Sequence, residues 1–397
     1  MTSHIIHPVG LKSQAVNFRA LPPLALYIHI PWCMRKCPYC DFNSHEARDA
    51  VPEGEYVAAL VRDLELALPQ IWGRKVYSVF IGGGTPSLFS GEGVGELLRQ
   101  VRMLLPLDIN AEITLEANPG TVEAERFAAY RAAGVNRLSL GIQSFSDTHL
   151  KALGRIHSAA EAKRAIAIAQ RHFDNINLDL MYALPQQTLD EALQDVRTAL
   201  TFAPQHLSCY HLTLEPNTLF AHNPPSLPDD DTGSEMQQRI ESLLAAHGYQ
   251  HYETSAFALP KKRSRHNLNY WQFGDYLGIG AGAHGKLSFP DKIVRQARYR
   301  QPREYLDAVA RGQPIQDEHE VGGKELPFEF MMNALRLNDG FDEALFEERT
   351  SLPLLTIRRE LEEAEKRGLL SRNNGRIAPT VLGQRFLNDL LQIFLKD

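Results

Sequence analysis

Apolar positions along this chain repeat with two alternating periods. Short runs rich in β-branched and aromatic residues, "LALYIHI" at 24–30 and "VYSVFIGGG" at 76–84, predict strands. Between them Val57, Leu60, Val61, Leu64 and Leu68 fall at helical spacing and predict a helix near 53–70. The alternation continues with an amphipathic stretch at 91–104, then "AEITLEANP" at 111–119, then a helix near 121–133 that Gly134 terminates. "NRLSLGIQS" (136–144) and "INLDLMYALP" (176–185) are two further strands. Thr188 and Glu191 form a capping box that opens a helix carrying Leu189, Ala192, Leu193, Val196 and Leu200, and "HLSCYHLTLE" (206–215) is the sixth strand.

Six strand-then-helix units predict an α/β fold: a parallel sheet with right-handed crossovers, closed fully or partly into a barrel. In such sheets function gathers at the C-terminal strand ends. Here those ends carry Cys33, Gly82–Thr85, Glu116, Gln143 and Asp179. Polar or glycine-rich residues thus recur at one place in successive units.

A Pro- and Asp-rich connector, "NPPSLPDDD" at 223–231, follows the sixth strand. Beyond it come a helix near 233–247, the run "YQHYETSAFA" at 249–258 and the loop "KKRSRHNLNYW" at 261–271. The last part of the chain predicts helix, short hairpin and helix, as in a winged-helix module. The expected organisation is an extension at 1–23, a barrel at 24–222, a linker and α/β extension at 223–320, and a mostly helical region at 321–397.

Charge narrows the partners. Across 397 residues, 42 Lys and Arg against 48 Asp and Glu leave a net −6, so no nucleic-acid partner is expected. No apolar run approaches the ~20 residues of a membrane span, and the first residues lack an apolar signal core. Contact with a membrane would be peripheral.

The four cysteines are too few for a disulfide scaffold. Cys33, Cys37 and Cys40 are spaced CxxxCxxC, which predicts reduced thiols binding metal in the cytoplasm. Cys209 stands alone among apolar neighbours and reads as a small buried residue. Three thiolates suit a soft metal or an iron–sulfur centre. A structural zinc completed by His29 or His45 is the plainer alternative. A cubane held by three cysteines leaves one iron open, which is useful only if another molecule coordinates it.

With "GGGTP" after the second strand and Glu116 after the third, the chain resembles the radical S-adenosylmethionine (SAM) superfamily. The resemblance implies a partial (β/α)6 TIM-like barrel whose 4Fe-4S cluster, held by Cys33, Cys37 and Cys40, binds SAM through its open iron. It implies SAM contacts at Tyr27, Tyr39, Gly83, Gly84, Thr85, Glu116, Gln143, Arg155 and Asp179.

Within the superfamily, "LYIHIPWC", "CPYCDFNSH", "EANPGT" and "GIGAGAHG" are similar to the oxygen-independent coproporphyrinogen oxidase group. Its true oxidases carry a further cysteine two positions after the third ligand, where this chain has Phe42. The HemW subgroup instead carries HNxxYW, found here from His266 to Trp271. That likeness implies a haem chaperone, with His266, Asn267, Tyr270 and Trp271 at the haem and Lys261, Lys262, Arg263 and Arg265 near its propionates. Its implied partners are haem-accepting respiratory proteins and an electron donor. The alternative is an oxidative decarboxylase of coproporphyrinogen.

Overall fold

The computed structural model describes residues 16–47, 49–120 and 124–395. Six parallel neighbours form its centre: β1 (Leu24–Ile30), β2 (Val76–Gly83), β3 (Leu107–Ala117), β4 (Arg137–Gln143), β5 (Ile176–Tyr182) and β6 (His206–His211). Helices cover them: α1 (Glu53–Ala67), α2 (Gly91–Leu104), α3 (Phe127–Ala133), α4 (Ala159–Ala169) and α5 (Leu189–Leu200). β1 and β5 are buried along nearly their whole length, as strands covered on both faces must be.

Local signals set the helix ends. Gly134 stops α3 in the left-handed region at φ 104°. The Thr188–Glu191 capping box forms at the start of α5, where each side chain bonds the other's backbone N–H.

The sheet does not close. On the outer side of β1 lies β9 (Asp275–Ile279), parallel to it; on the outer side of β6 lies β8 (Ala256–Ala258), antiparallel. With β7 (Gln250–Glu253), β10 (His284–Ser288), β11 (Ile293–Arg298) and β12 (Ile315–Glu320), the order is β12-β11-β10-β9-β1-β2-β3-β4-β5-β6-β8-β7. The expected partial barrel is therefore the middle of a twelve-stranded sheet that continues through residues 250–320.

Two buried charge networks hold the added strands. Asp63 of α1 takes the Arg298 guanidinium at 3.1 Å and the Tyr305 hydroxyl at 2.9 Å. Asp275 of β9 takes Lys286 at 2.8 Å and Arg74 at 2.7 Å. Removing one member of either would leave a buried charge uncompensated.

The segment 261–271, expected as a loop, is a short helix from Arg265 to Trp271, because the Ser264 hydroxyl caps it by accepting from Asn267 N–H. The C-terminal region has the expected helix–hairpin–helix order: Arg358–Lys366, strands Leu370–Asn373 and Arg376–Pro379, then Val381–Arg385 and Leu387–Gln392. It packs on its own core around Phe330, Phe341 and Phe346. Of the expected N-terminal extension, residues 1–15 lie outside the described residues. Asn17 and Phe18 bond Ser351 and Pro290.

Candidate functional site

The chain leaves β1 at Pro31 and makes a loop that returns at His45. Trp32–Cys33 pairs with His45–Glu46, closing the loop that holds the thiols. Cys33, Cys37 and Cys40 are free and half-buried. They line a cavity of about 340 Å³ at the C-terminal ends of the parallel strands. Burial pushes the Cys33 and Cys40 thiols up, against hydrogen bonds from Thr85 and Ser44.

Every residue expected at SAM except Tyr27 lines that same cavity: Tyr39, Gly83, Gly84, Thr85, Glu116, Gln143, Arg155 and Asp179. Gly83 has φ 114°, and a Cβ there would meet the His29 ring at 2.5 Å. Only glycine fits. Gln143 ends β4 with φ 65°, a costly conformation for a side chain of this size and one that clusters at binding sites.

Glu116 accepts the Gly83 N–H at 3.1 Å. Burial, then repulsion from Asp179, pushes its carboxyl up to about 8. Asp179 is raised mainly by burial, while Ser139 and Asn177 donate to it at 2.8 Å each. Arg155 donates to Asn118 Oδ1 at 2.7 Å, to the Gly141 carbonyl at 2.9 Å and to Cys37 Sγ at 3.6 Å. Asn118 also donates to Thr85 Oγ1 at 3.0 Å, so it joins the strand-end residues; the sequence reading did not single it out, although it lies two positions after Glu116, just past the end of β3.

Among the described residues, no group of three His, Cys, Asp or Glu side chains converges on a single-ion site. His29, one candidate fourth zinc ligand, has both ring nitrogens engaged: Tyr27 Oη at 2.9 Å and the Asn43 carbonyl at 2.9 Å. A carbonyl only accepts, so Nε2 carries the proton and Nδ1 accepts from Tyr27. Three free thiols on one loop facing a polar-rimmed cavity fit a cluster with one open iron better than a closed tetrahedral ion.

A second cavity, about 490 Å³, adjoins the first and shares Asp41, Phe42, Gly83 and Glu116 with it. Tyr27, Phe80, Tyr270, Trp271 and Tyr276 line it, with His284, Lys286, Arg295 and Arg300 among its polar members. Phe42, 60% exposed, stands between the two spaces.

The four residues expected at haem separate. Tyr270 and Trp271 line the second cavity, whereas His266 and Asn267 do not. His266 is 1% exposed, with Nδ1 at 3.0 Å from Ser78 Oγ and Nε2 at 3.0 Å from Tyr270 Oη. Its ring packs 5.0 Å from Phe80, and burial holds it well down, to about 3. Three of the four nearby cations are engaged elsewhere: Arg263 with Asp339, Arg265 with the Asn110 carbonyl, Lys262 with the Asp174 carbonyl.

Residues 27–199 match the Radical SAM superfamily and residues 323–386 match the HemN C-terminal domain. The heme chaperone HemW of Escherichia coli is 51% identical, covering 95% of this chain and 99% of that protein. That of Haemophilus influenzae is 49% identical over the same shares. Coproporphyrinogen III oxidase (HemN) from Escherichia coli has the same fold, with a TM-score of 0.80 and 23% identity, over 94% of this chain and 90% of its own.

Proposed function

This chain belongs to the HemW family of radical SAM proteins, and from that membership we propose that it is a haem chaperone. It binds a 4Fe-4S cluster and SAM in the first cavity and carries haem in the second, for delivery to haem-dependent proteins. The finer reading places those acceptors among respiratory haem enzymes and the protein in the cytoplasm, with a separate electron donor. No helix among the described residues is long and apolar enough to cross a membrane.

The observation that carries this reading is the pair of adjoining cavities on either side of Phe42. The first offers three thiols, the Gly83–Gly84 backbone and buried carboxyls. The second offers the flat aromatic area and cations that a porphyrin with propionates requires. Phe42 occupies the place where the oxidases put a further thiol, which favours a carrier over a decarboxylase.

Cys33, Cys37 and Cys40 hold the cluster in this assignment, and a loaded cluster supplies the electron for reductive SAM cleavage. The protein's own part is positional. Glu116 and the Gly83–Gly84 turn would receive the SAM amino group, Thr85 and Gln143 would border it, and Arg155 braces the loop from beside Cys37. Asp179 and Tyr39 wall the cavity, and Tyr27 holds His29 and faces the second cavity.

The test is haem transfer. Anaerobically reconstituted protein is loaded with ferric haem and mixed with an apo-haem protein, with absorption followed in the Soret region. Stoichiometric uptake and transfer are expected, with no conversion of coproporphyrinogen in a parallel assay. A protein that takes up no haem but decarboxylates coproporphyrinogen would overturn the reading.

A further inference from the structure

Three histidines lie at or against the second cavity, and their surroundings differ. The ring of His266 is sealed between Ser78 and Tyr270 and does not line the space. His29 lines it but spends both nitrogens on Tyr27 and Asn43. Freeing either ring would break two hydrogen bonds and leave their partners unsatisfied. His284 lines the cavity, is exposed, and makes no hydrogen bond through its ring among the described residues.

The backbone that carries His284 is rigid. It opens β10, where it pairs with Ala297 of β11. The preceding turn is pinned from two sides: Asn43 Nδ2 donates to the Ala281 carbonyl at 3.0 Å, and Ala281 N–H donates to Tyr56 Oη at 2.8 Å. Gly282, at φ 78°, leaves room for Asn43, whose side chain a Cβ would meet at 2.2 Å. The backbone under the imidazole is thus fixed while its ring nitrogens are left unclaimed, so a ligand taken by the ring costs little main-chain ordering. Burial and the neighbouring Arg300 and Arg295 lower its proton affinity, so the ring is neutral at physiological pH.

Arg300 lines the same cavity, is exposed, and forms no ion pair among the described residues. Its backbone is anchored through the carbonyl, which accepts from Asn43 Nδ2 at 2.8 Å. A free imidazole and a free guanidinium therefore stand at one aromatic-lined space.

On the haem-carrier reading above, we propose that His284, and not His266, would ligate the haem iron, and that Arg300 would pair with a haem propionate. A neutral ring nitrogen donates its lone pair to iron without redox change or proton transfer. His266 is then a positioning residue, holding Tyr270 at the wall of the second cavity. Asn43, which follows Phe42 in the cysteine loop, bonds both Ala281 and Arg300 and so ties that loop to the segments carrying His284 and Arg300.

The experiment titrates ferric haem into the full-length, cluster-reconstituted protein and reads absorption and electron paramagnetic resonance. Wild type is expected to give a histidine-ligated spectrum. His284→Gly should lose it, bind haem at least about tenfold more weakly, and regain the spectrum when imidazole is added. His266→Gln should keep the spectrum, and Arg300→Ala should weaken binding without changing it. Iron and sulfide content reports that each variant is folded. A His284→Gly protein with the wild-type spectrum would overturn the assignment while leaving the carrier function standing, as would loss of the spectrum in His266→Gln alone. A wild type that binds no haem would overturn both.

Discussion

The Gly83 N–H donates to Glu116 Oε2 at 3.1 Å, a buried carboxyl whose proton affinity burial and Asp179 have raised to about 8. At neutral pH the free protein therefore holds Glu116 mostly protonated. SAM in this cavity, with its sulfonium charge and amino N–H donors, would favour the carboxylate and expel the proton. SAM affinity should rise with pH up to about 8 and then level off. Calorimetry in buffers of different ionisation enthalpy should show proton release near pH 7, absent in Glu116→Gln. The same shift has a stability consequence. A carboxyl raised in the fold contributes stability that is full below its ordinary value of 4.5 and lost as pH rises through about 8. Glu116→Gln should flatten that fall in urea unfolding measured without SAM.

Cys33→Ala, Cys37→Ala and Cys40→Ala should each abolish the cluster, since each thiol on the loop is free and none is spare. Cys209→Ala is the control. That residue is 4% exposed on β6, within the barrel core, so its loss should cost about 1 kcal/mol of stability and no iron. Iron and sulfide analysis after reconstitution decides; full iron content in any of the first three variants would contradict the assignment.

Arg155 spans the loop, β4 and Asn118 through three contacts at 2.7, 2.9 and 3.6 Å. Lysine cannot reproduce that fork. Arg155→Lys should lower the thermal midpoint by several degrees, about 1–3 kcal/mol, and should make the cluster more sensitive to oxygen. An unchanged rate of cluster bleaching in air would argue against the bracing role.

Acid should weaken the fold through its buried neutral histidines. Burial, the leading cause at each, lowers His29 and His157 to about 4 and His266 to about 3, and holds His206 well down. The unfolded chain protonates near 6.5 while these rings stay neutral, so the stability they contribute is present above that pH and lost as pH falls toward 4. Each adds a slope of about 1.4 kcal/mol per pH unit in that window. His266→Phe should remove one such increment from urea midpoints measured between pH 6 and pH 4.5; an unchanged slope would mean the ring is not held neutral.

Much of the site was legible from strand ends. Glu116 and Asp179 come at the ends of apolar strands, and Gly83 and Gly84 follow a β-rich run. Their convergence follows from one rule: parallel strands with crossovers present their C-terminal ends on one side. His266 sits less openly than its motif suggests. The i, i+4 relation to Tyr270 is real and brings the two within 3.0 Å, but the bond it makes is what seals the ring. Asn43 and His284 lie inside the quoted segments CPYCDFNSH and GIGAGAHG, but nothing local says that they share one cavity with Arg300, because that rests on contacts between positions more than 230 apart, such as Asn43 to Ala281 and Arg300.

By itself the chain determined its six βα units, the thiol loop and the helix caps, since these depend on periodicity and on neighbours within a few residues. Only the tertiary structure decided that β9 lies against β1, that two cavities meet at Phe42, and which histidine is free. Those outcomes depend on which distant groups satisfy one another's hydrogen bonds once water is excluded, and local sequence does not contain that pairing.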